Sequence, residues 1–165
     1  MKLNELRCVC DNIDIEKYIE FMDRVKKNME HPDWLGDFSK EDIQKLLSID
    51  SKIWIYYDGD NEVCSMMFIP SDEKTLKKFG IDKDYKDTME IGPMFVDIKY
   101  VGNNLQYQML KVMDEYAISK GYTYSASTIH PDNIYSINNF LKDNFKYIGQ
   151  HTFSRGIRNI YLKEL

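Results

Sequence analysis

Long apolar runs, basic excess, cysteine and proline are all scarce in this sequence, and each shortage excludes something. The longest uninterrupted apolar run is Ile53 to Tyr57, far short of the ~20 residues a membrane-spanning helix needs, so no membrane partner is expected. The stretch MKLNELRCVCDNIDIEK breaks its apolar residues with charge and has no signal-peptide core. Lys and Arg number 22 against 27 Asp and Glu, a net charge of −5, so the basic footprint that nucleic-acid binding runs on is missing. Three cysteines, Cys8, Cys10 and Cys64, cannot build a disulfide framework. Their odd count leaves a free thiol, which suits a reducing, cytoplasmic setting. Cys8 and Cys10 with His31, His130 and His151 fit no common zinc spacing, so no metal is expected. Neither G-x-x-x-x-G-K-[ST] nor G-x-G-x-x-G occurs, which removes the usual support for nucleotide hydrolysis and dinucleotide redox chemistry.

What is there suffices for a core. The 165 residues are 43% hydrophobic and 13% aromatic, enough for one domain spanning 1–165. The pattern predicts a strand over 3–10, then a helix capped by Asp14 and running to about Asn28. Ser39 with Asp42 opens a second helix. Strands over 52–57 and 63–69 flank a turn that begins Asp58-Gly59, a hairpin signal. A short helix follows over 71–79, a strand over 89–97 interrupted by Gly92-Pro93, and the clearest helix over 103–120, stopped by Gly121. The remainder reads as strand 122–129, helix 131–143, strand 145–153 and a last strand 159–162. Alternating strand–helix–strand units and hairpins indicate an α/β mixed sheet.

The informative stretch is EIGPMFVDIKYVGNNLQ, residues 90–106. A strand ends near Val96, a polar loop with Gly102 follows, and a helix opens at Asn103–Leu105. Such a turn points backbone N–H groups and the positive end of a helix dipole at one spot, an anion site. Read from spacing alone, Gly102 and Asn104 either form that cradle or merely turn the chain into the helix. Gly92-Pro93 marks either a close backbone approach, with main-chain groups left for an extended ligand, or an ordinary edge strand.

The loop Lys99-Tyr100-Val101-Gly102-Asn103-Asn104 resembles the [QR]-x-x-G-x-[GA] motif of the GNAT superfamily of acetyl-CoA-dependent N-acyltransferases, with Lys and Asn at its outer positions. A later family motif, N-x-x-A-x-x-x-Y-x-x-x-G-F, is similar to Asn133 through Ser136 and Phe140 to Asn144-Phe145. The resemblance implies a central, mostly antiparallel sheet with a parallel pair at the cofactor cleft, flanked by helices. It implies acetyl-CoA as cosubstrate, with the pantetheine arm on the backbone of Met94, Phe95 and Val96. The pyrophosphate then rests on the amides of Val101, Gly102, Asn103, Asn104, Leu105 and Gln106, and Asn133, Ser136 and Phe140 lie near the cofactor. Phe140 stands where the family usually has the tyrosine that protonates the departing thiolate, and a phenyl ring has no proton to give. Tyr135 and Tyr107 are the candidate replacement acids, solvent the alternative. Glu90, six residues before Val96, is close to the offset of a general-base glutamate and reads either as that base or as an outward-facing strand residue.

The expectation is therefore a monomeric or homodimeric N-acetyltransferase moving an acetyl group directly from acetyl-CoA to a primary amine of a small molecule or peptide. Phe140 and the two asparagines at glycine positions keep a second expectation open, a non-catalytic acyl-CoA-binding module on the same fold. A protein-interaction domain that has lost the cofactor is the third; Gly102 and Asn133 speak against it.

Overall fold

A computed structural model describes residues 1–165. Its elements follow in the expected order: β1 (Arg7–Val9), α1 (Ile15–Lys27), α2 (Lys40–Ser48), β2 (Lys52–Asp58), β3 (Asn61–Pro70), α3 (Glu73–Phe79), β4 (Thr88–Val96), α4 (Leu105–Ser119), β5 (Tyr124–Ile129), α5 (Ile134–Lys142), β6 (Lys146–Phe153) and β7 (Gly156–Glu164). The strands form one seven-stranded sheet in the order β1-β2-β3-β4-β5-β7-β6. β4 and β5 run parallel, and the β1/β2, β2/β3, β5/β7 and β6/β7 pairs are antiparallel. This is the mixed sheet, flanked by helices, that the sequence indicates. No helix is long and apolar enough to cross a membrane.

Local chemistry sets most of the boundaries. The Asp14 carboxylate accepts from the Lys17 amide at 3.2 Å and starts α1. Ser39 and Asp42 exchange side-chain and backbone hydrogen bonds at 3.1 and 2.8 Å, a complete capping box for α2. Asp72 caps α3, accepting from the Thr75 amide at 2.8 Å. The first and last strands differ most from the sequence reading. The first strand is only Arg7–Val9, because Leu3–Glu5 forms a 3-10 turn in which the Glu5 carboxylate accepts from the Lys2 amide at 3.1 Å. The last strand is longer than expected: Gly156, at φ +103°, turns the chain so that β6 and β7 pair from Phe153↔Gly156 to Lys146↔Leu162.

The residues pack as two compact units. The first comprises Met1–Ile69 and Gly92–Met109. Its core gathers Tyr18, Phe21, Met22 and Val25 of α1, Ile43 of α2, Ile53 and Ile55 of β2, Met67 of β3 and Phe95 of β4. Burying each such side chain is worth roughly 1.5–3 kcal/mol, so this cluster fixes how α1 lies on the sheet.

The second unit comprises Pro70–Ile91 and Leu110–Leu165. Leu76, Ile81, Ala126 and Ile160 form its apolar cluster. It also holds a buried ionic group: the Lys163 ammonium of β7 donates to Asp114 of α4 at 2.5 Å and to Asp143, just after α5, at 2.8 Å. Lys111 pairs with the same two aspartates. Burial, and then the charge of Asp143, push the Asp114 carboxyl above its ordinary range against the pull of Lys163.

Candidate active site

The loop ahead of α4 is built within the first unit. Asp97 accepts from the Lys99 amide at 3.0 Å and opens a 3-10 turn over Ile98–Tyr100. Gly102 then takes φ +92° and Asn104 φ +57°, left-handed values that glycine and asparagine tolerate best. Open space surrounds Gly102: a Cβ placed there would meet nothing within 4 Å. The Gln108 side-chain amide donates to the carbonyls of Asn103 and Asn104 at 3.1 and 3.4 Å, and the Gln108 backbone amide donates to Asn104 at 3.2 Å. Across a trans peptide the N–H points opposite the C=O. Capturing those carbonyls therefore turns the amides of Asn104 and Leu105 the other way, and no protein acceptor takes the amides of Gly102, Asn104 or Leu105, while Asn103 closes the turn over Val101-Gly102. Unpartnered N–H groups at a positive-φ turn on a helix N-terminus form an anion cradle, so these residues fit a pyrophosphate.

Val101 is 61% exposed and contributes backbone, not packing, while Leu105 is buried at 2% and anchors the helix start. The Asn103 side chain donates to the Tyr100 carbonyl at 2.9 Å and closes the loop on itself. Gln106 is half-buried in the first turn of α4. Gln108 is the residue that sequence reasoning missed; its signal was a polar side chain four places after the left-handed Asn104.

β4 alternates buried and half-buried residues, with Glu90, Gly92, Met94 and Val96 at the half-buried positions. Phe95 faces the core, its ring 5.1 Å from Phe21 and 6.1 Å from Tyr18, so only its main chain is left for a ligand. Pairing with β5 runs Thr88↔Tyr124 to Glu90↔Ala126 and ends there, although β4 continues to Val96. Pro93 thus lies beyond the last pair, where β5 asks for no donor. β4 is an interior strand, and Gly92 marks a close approach: a Cβ there would sit 2.7 Å from Ile69 Cδ1 and 3.2 Å from Met67 Cβ.

Glu90 belongs to the second unit, with Ser71 and Asp72 beside it. Burial pushes its carboxyl up from 4.5 to about 7; the nearby Ser71 hydroxyl favours the charged form, and Asp72 opposes it. The Ser71 Oγ is buried without a hydrogen-bond partner in the protein, close to the carboxylate but short of a formed bond. Ser71 and Asp72 were missed as neighbours because only the fold, through the Ser71 amide donating to the Thr88 carbonyl at 3.2 Å, brings them to β4.

On α5, the Asn133 carboxamide oxygen accepts from the Ser136 amide at 3.2 Å and caps the helix, so that oxygen has a structural task. Phe140 is 3% exposed and packs on Phe145 at 4.9 Å, a core position. Tyr135 is 75% exposed and Tyr107 half-buried on α4. Asn144 takes φ +66°, the freedom for which the motif's glycine is replaced by asparagine.

No protein-family model matches the chain, and no curated protein sequence does either. Solved structures do match. An N-acetyltransferase from Staphylococcus aureus Mu50 superposes with TM-score 0.69 at 16% identity, over 96% of this chain and 98% of that one. An acetyltransferase of the GNAT family from Streptococcus pneumoniae gives TM-score 0.69 at 12% identity, over 96% and 100%. RimL, a ribosomal L7/L12 alpha-N-protein acetyltransferase solved with coenzyme A, gives 0.66 at 14%, over 97% and 93%. The likeness at these identities is one of architecture: the chain has the fold of the GNAT acetyltransferases.

Proposed function

We propose that the chain is an N-acetyltransferase that uses acetyl-CoA to acetylate a primary amine of a small molecule or peptide. The observation that carries this reading is the cradle of unpartnered amides of Gly102, Asn104 and Leu105, at the place where a pyrophosphate would rest. The main chain of Met94, Phe95 and Val96, past the last β5 pair, would hold the pantetheine arm. A bound acetyl thioester supplies an acyl carbon open to attack by a neutral amine and a sulfur that leaves as a thiol.

The chain's own part is proton management. An attacking ammonium must first lose a proton, and Glu90, with a carboxyl near 7, accepts one at neutral pH. The nitrogen sheds a second proton to solvent as the C–N bond forms and the C–S bond breaks, and the departing sulfur takes one up. Phe140 has none, so water or the exposed Tyr135 hydroxyl supplies it. The buried Phe140 also favours a second reading, a module that binds acyl-CoA without turning it over.

Calorimetric titration with acetyl-CoA, followed by thiol release across a panel of amines, separates the two. Binding with turnover that collapses in Glu90→Gln is expected. Binding without thiol release from any amine favours the module, and no binding in the millimolar range refutes both.

A further inference from the structure

Two arginines crowd the turn that joins β6 to β7 in the second unit. Arg155 donates from Nη2 to the Thr128 Oγ1 at 2.9 Å, and its guanidinium lies 5.7 Å from the centre of the Phe153 ring. Those are its partners; no carboxylate pairs with it. Arg158 is buried at 1% exposure, and its Nη1 donates to the Ile157 carbonyl at 2.8 Å. A Cβ on Gly156, the residue next to Arg155, would stand 3.6 Å from that Nη1. In a chain with 27 acidic residues, Arg155 faces a hydroxyl and a ring instead of a carboxylate.

The hydroxyl of Thr128 accepts from Arg155, so its own proton remains to be donated. A guanidinium fork, a second arginine whose Nη1 lies beside the next residue Gly156, and a hydroxyl donor match the donor pattern of an oxyanion site. We propose that Arg155, backed by Arg158 and flanked by Thr128, binds an oxyanion, either a carboxylate or a phosphate. Arg155 stays exposed, so a ligand reaches it from solvent. Partial desolvation by its neighbours, and then the charge of Arg158, hold the guanidinium below the ordinary range even at this exposed position, and a bound anion relieves that cost.

The site also bears on the acceptor, a step that rests on the acetyltransferase reading above. Ala126 is the strand partner of Glu90, and Thr128 lies two residues further along β5, roughly 7 Å at strand rise. An amine poised at Glu90 thus has an oxyanion site within the span of a small molecule. The acceptor class is an amine that also carries a carboxylate or phosphate.

Side-chain NMR of the arginine Nε–H groups tests the site in the full chain, with inorganic phosphate and acetate as separate probes and chloride at matched ionic strength as control. Arg155 should shift saturably with phosphate, acetate or both, and Arg155→Lys should weaken the binding by removing the fork. No saturable shift with either probe, or an equal shift with chloride, overturns the proposal. Kinetics test the acceptor class on two amines of matched length, one ending in a carboxylate and one in a carboxamide. Arg155→Ala should raise KM for the carboxylate amine by about ten- to a hundredfold more than for its partner. An equal effect on both overturns the acceptor assignment. If Arg155 binds an oxyanion while no amine is acetylated, the site stands and the acetyltransferase reading falls.

Discussion

Replacing Glu90 by glutamine removes one titrating group at nearly constant shape, and its effect on stability has a calculable sign. The carboxyl is held at about 7 in the folded chain against 4.5 when unperturbed, chiefly by burial. Because the folded value is the raised one, the folded state binds the proton more tightly between those two pH values. Stability therefore falls as pH rises through about 7, and the contribution is fully present only below about 4.5. Each pKa unit corresponds to 1.36 kcal/mol. Between pH 8 and pH 5 the group should add about 2 kcal/mol, the low end because Glu90 is only half-buried. Urea unfolding of wild type and Glu90→Gln at both pH values isolates the term. The variant should be more stable relative to wild type at pH 8 than at pH 5, by about 2 kcal/mol. The acid limb of the pH–rate profile should lie near pH 7 by the same cause. A wild-type-minus-variant difference that is equal at the two pH values would refute the burial argument, whatever the enzyme does.

Two further substitutions test packing and charge. Lys163→Met leaves the carboxylates of Asp114 and Asp143 with Lys111 as their remaining cation. The cost should be about 3 kcal/mol, at the low end for a broken buried pair because Lys111 stays. Thermal melts should then drop by about 6–12 °C, and adding Asp114→Asn and Asp143→Asn should restore most of the loss. Gly92→Ala drives a methyl to 2.7 Å from Ile69 Cδ1 and should cost about 1–3 kcal/mol. Ile69→Val removes that δ carbon, so a double-mutant cycle by urea unfolding should show the two changes partly cancelling.

The sequence made legible what is decided within a few residues. Asp14, Ser39 with Asp42, and Asp58-Gly59 carry their caps and turn in their own side chains, and the structure uses each at that place. Gly102 and Asn104 are of the residue types that tolerate positive φ best, and both adopt it. What stayed hidden depends on partners far along the chain. Nothing near Gln108 in the sequence says that its side chain also accepts from the Leu3 amide at 2.8 Å, which holds it over the loop. Nothing in the residues around Lys163 announces that β7 sets it against Asp114 of α4 and Asp143. The resemblance expects the pantetheine arm on the backbone of Phe95, and strand alternation sends the Phe95 ring into the core.

The same contrast of range governs how an acidic chain holds an anion. Between Asp97 and Gln108 the charged side chains are Asp97 and Lys99, which cancel, so the cradle attracts through oriented amides and the end of α4. Those dipoles act at contact, while the surface charges that sum to −5 are screened beyond about 8–10 Å at ordinary ionic strength. The net charge therefore sets no barrier to a pyrophosphate in that loop. The β6–β7 turn solves the opposite problem. An oxyanion there finds no helix end, and concentrated guanidinium charge does the work that backbone geometry does in the loop. The two proposed sites thus rest on two anion-binding designs, and each uses the donors that its own element supplies.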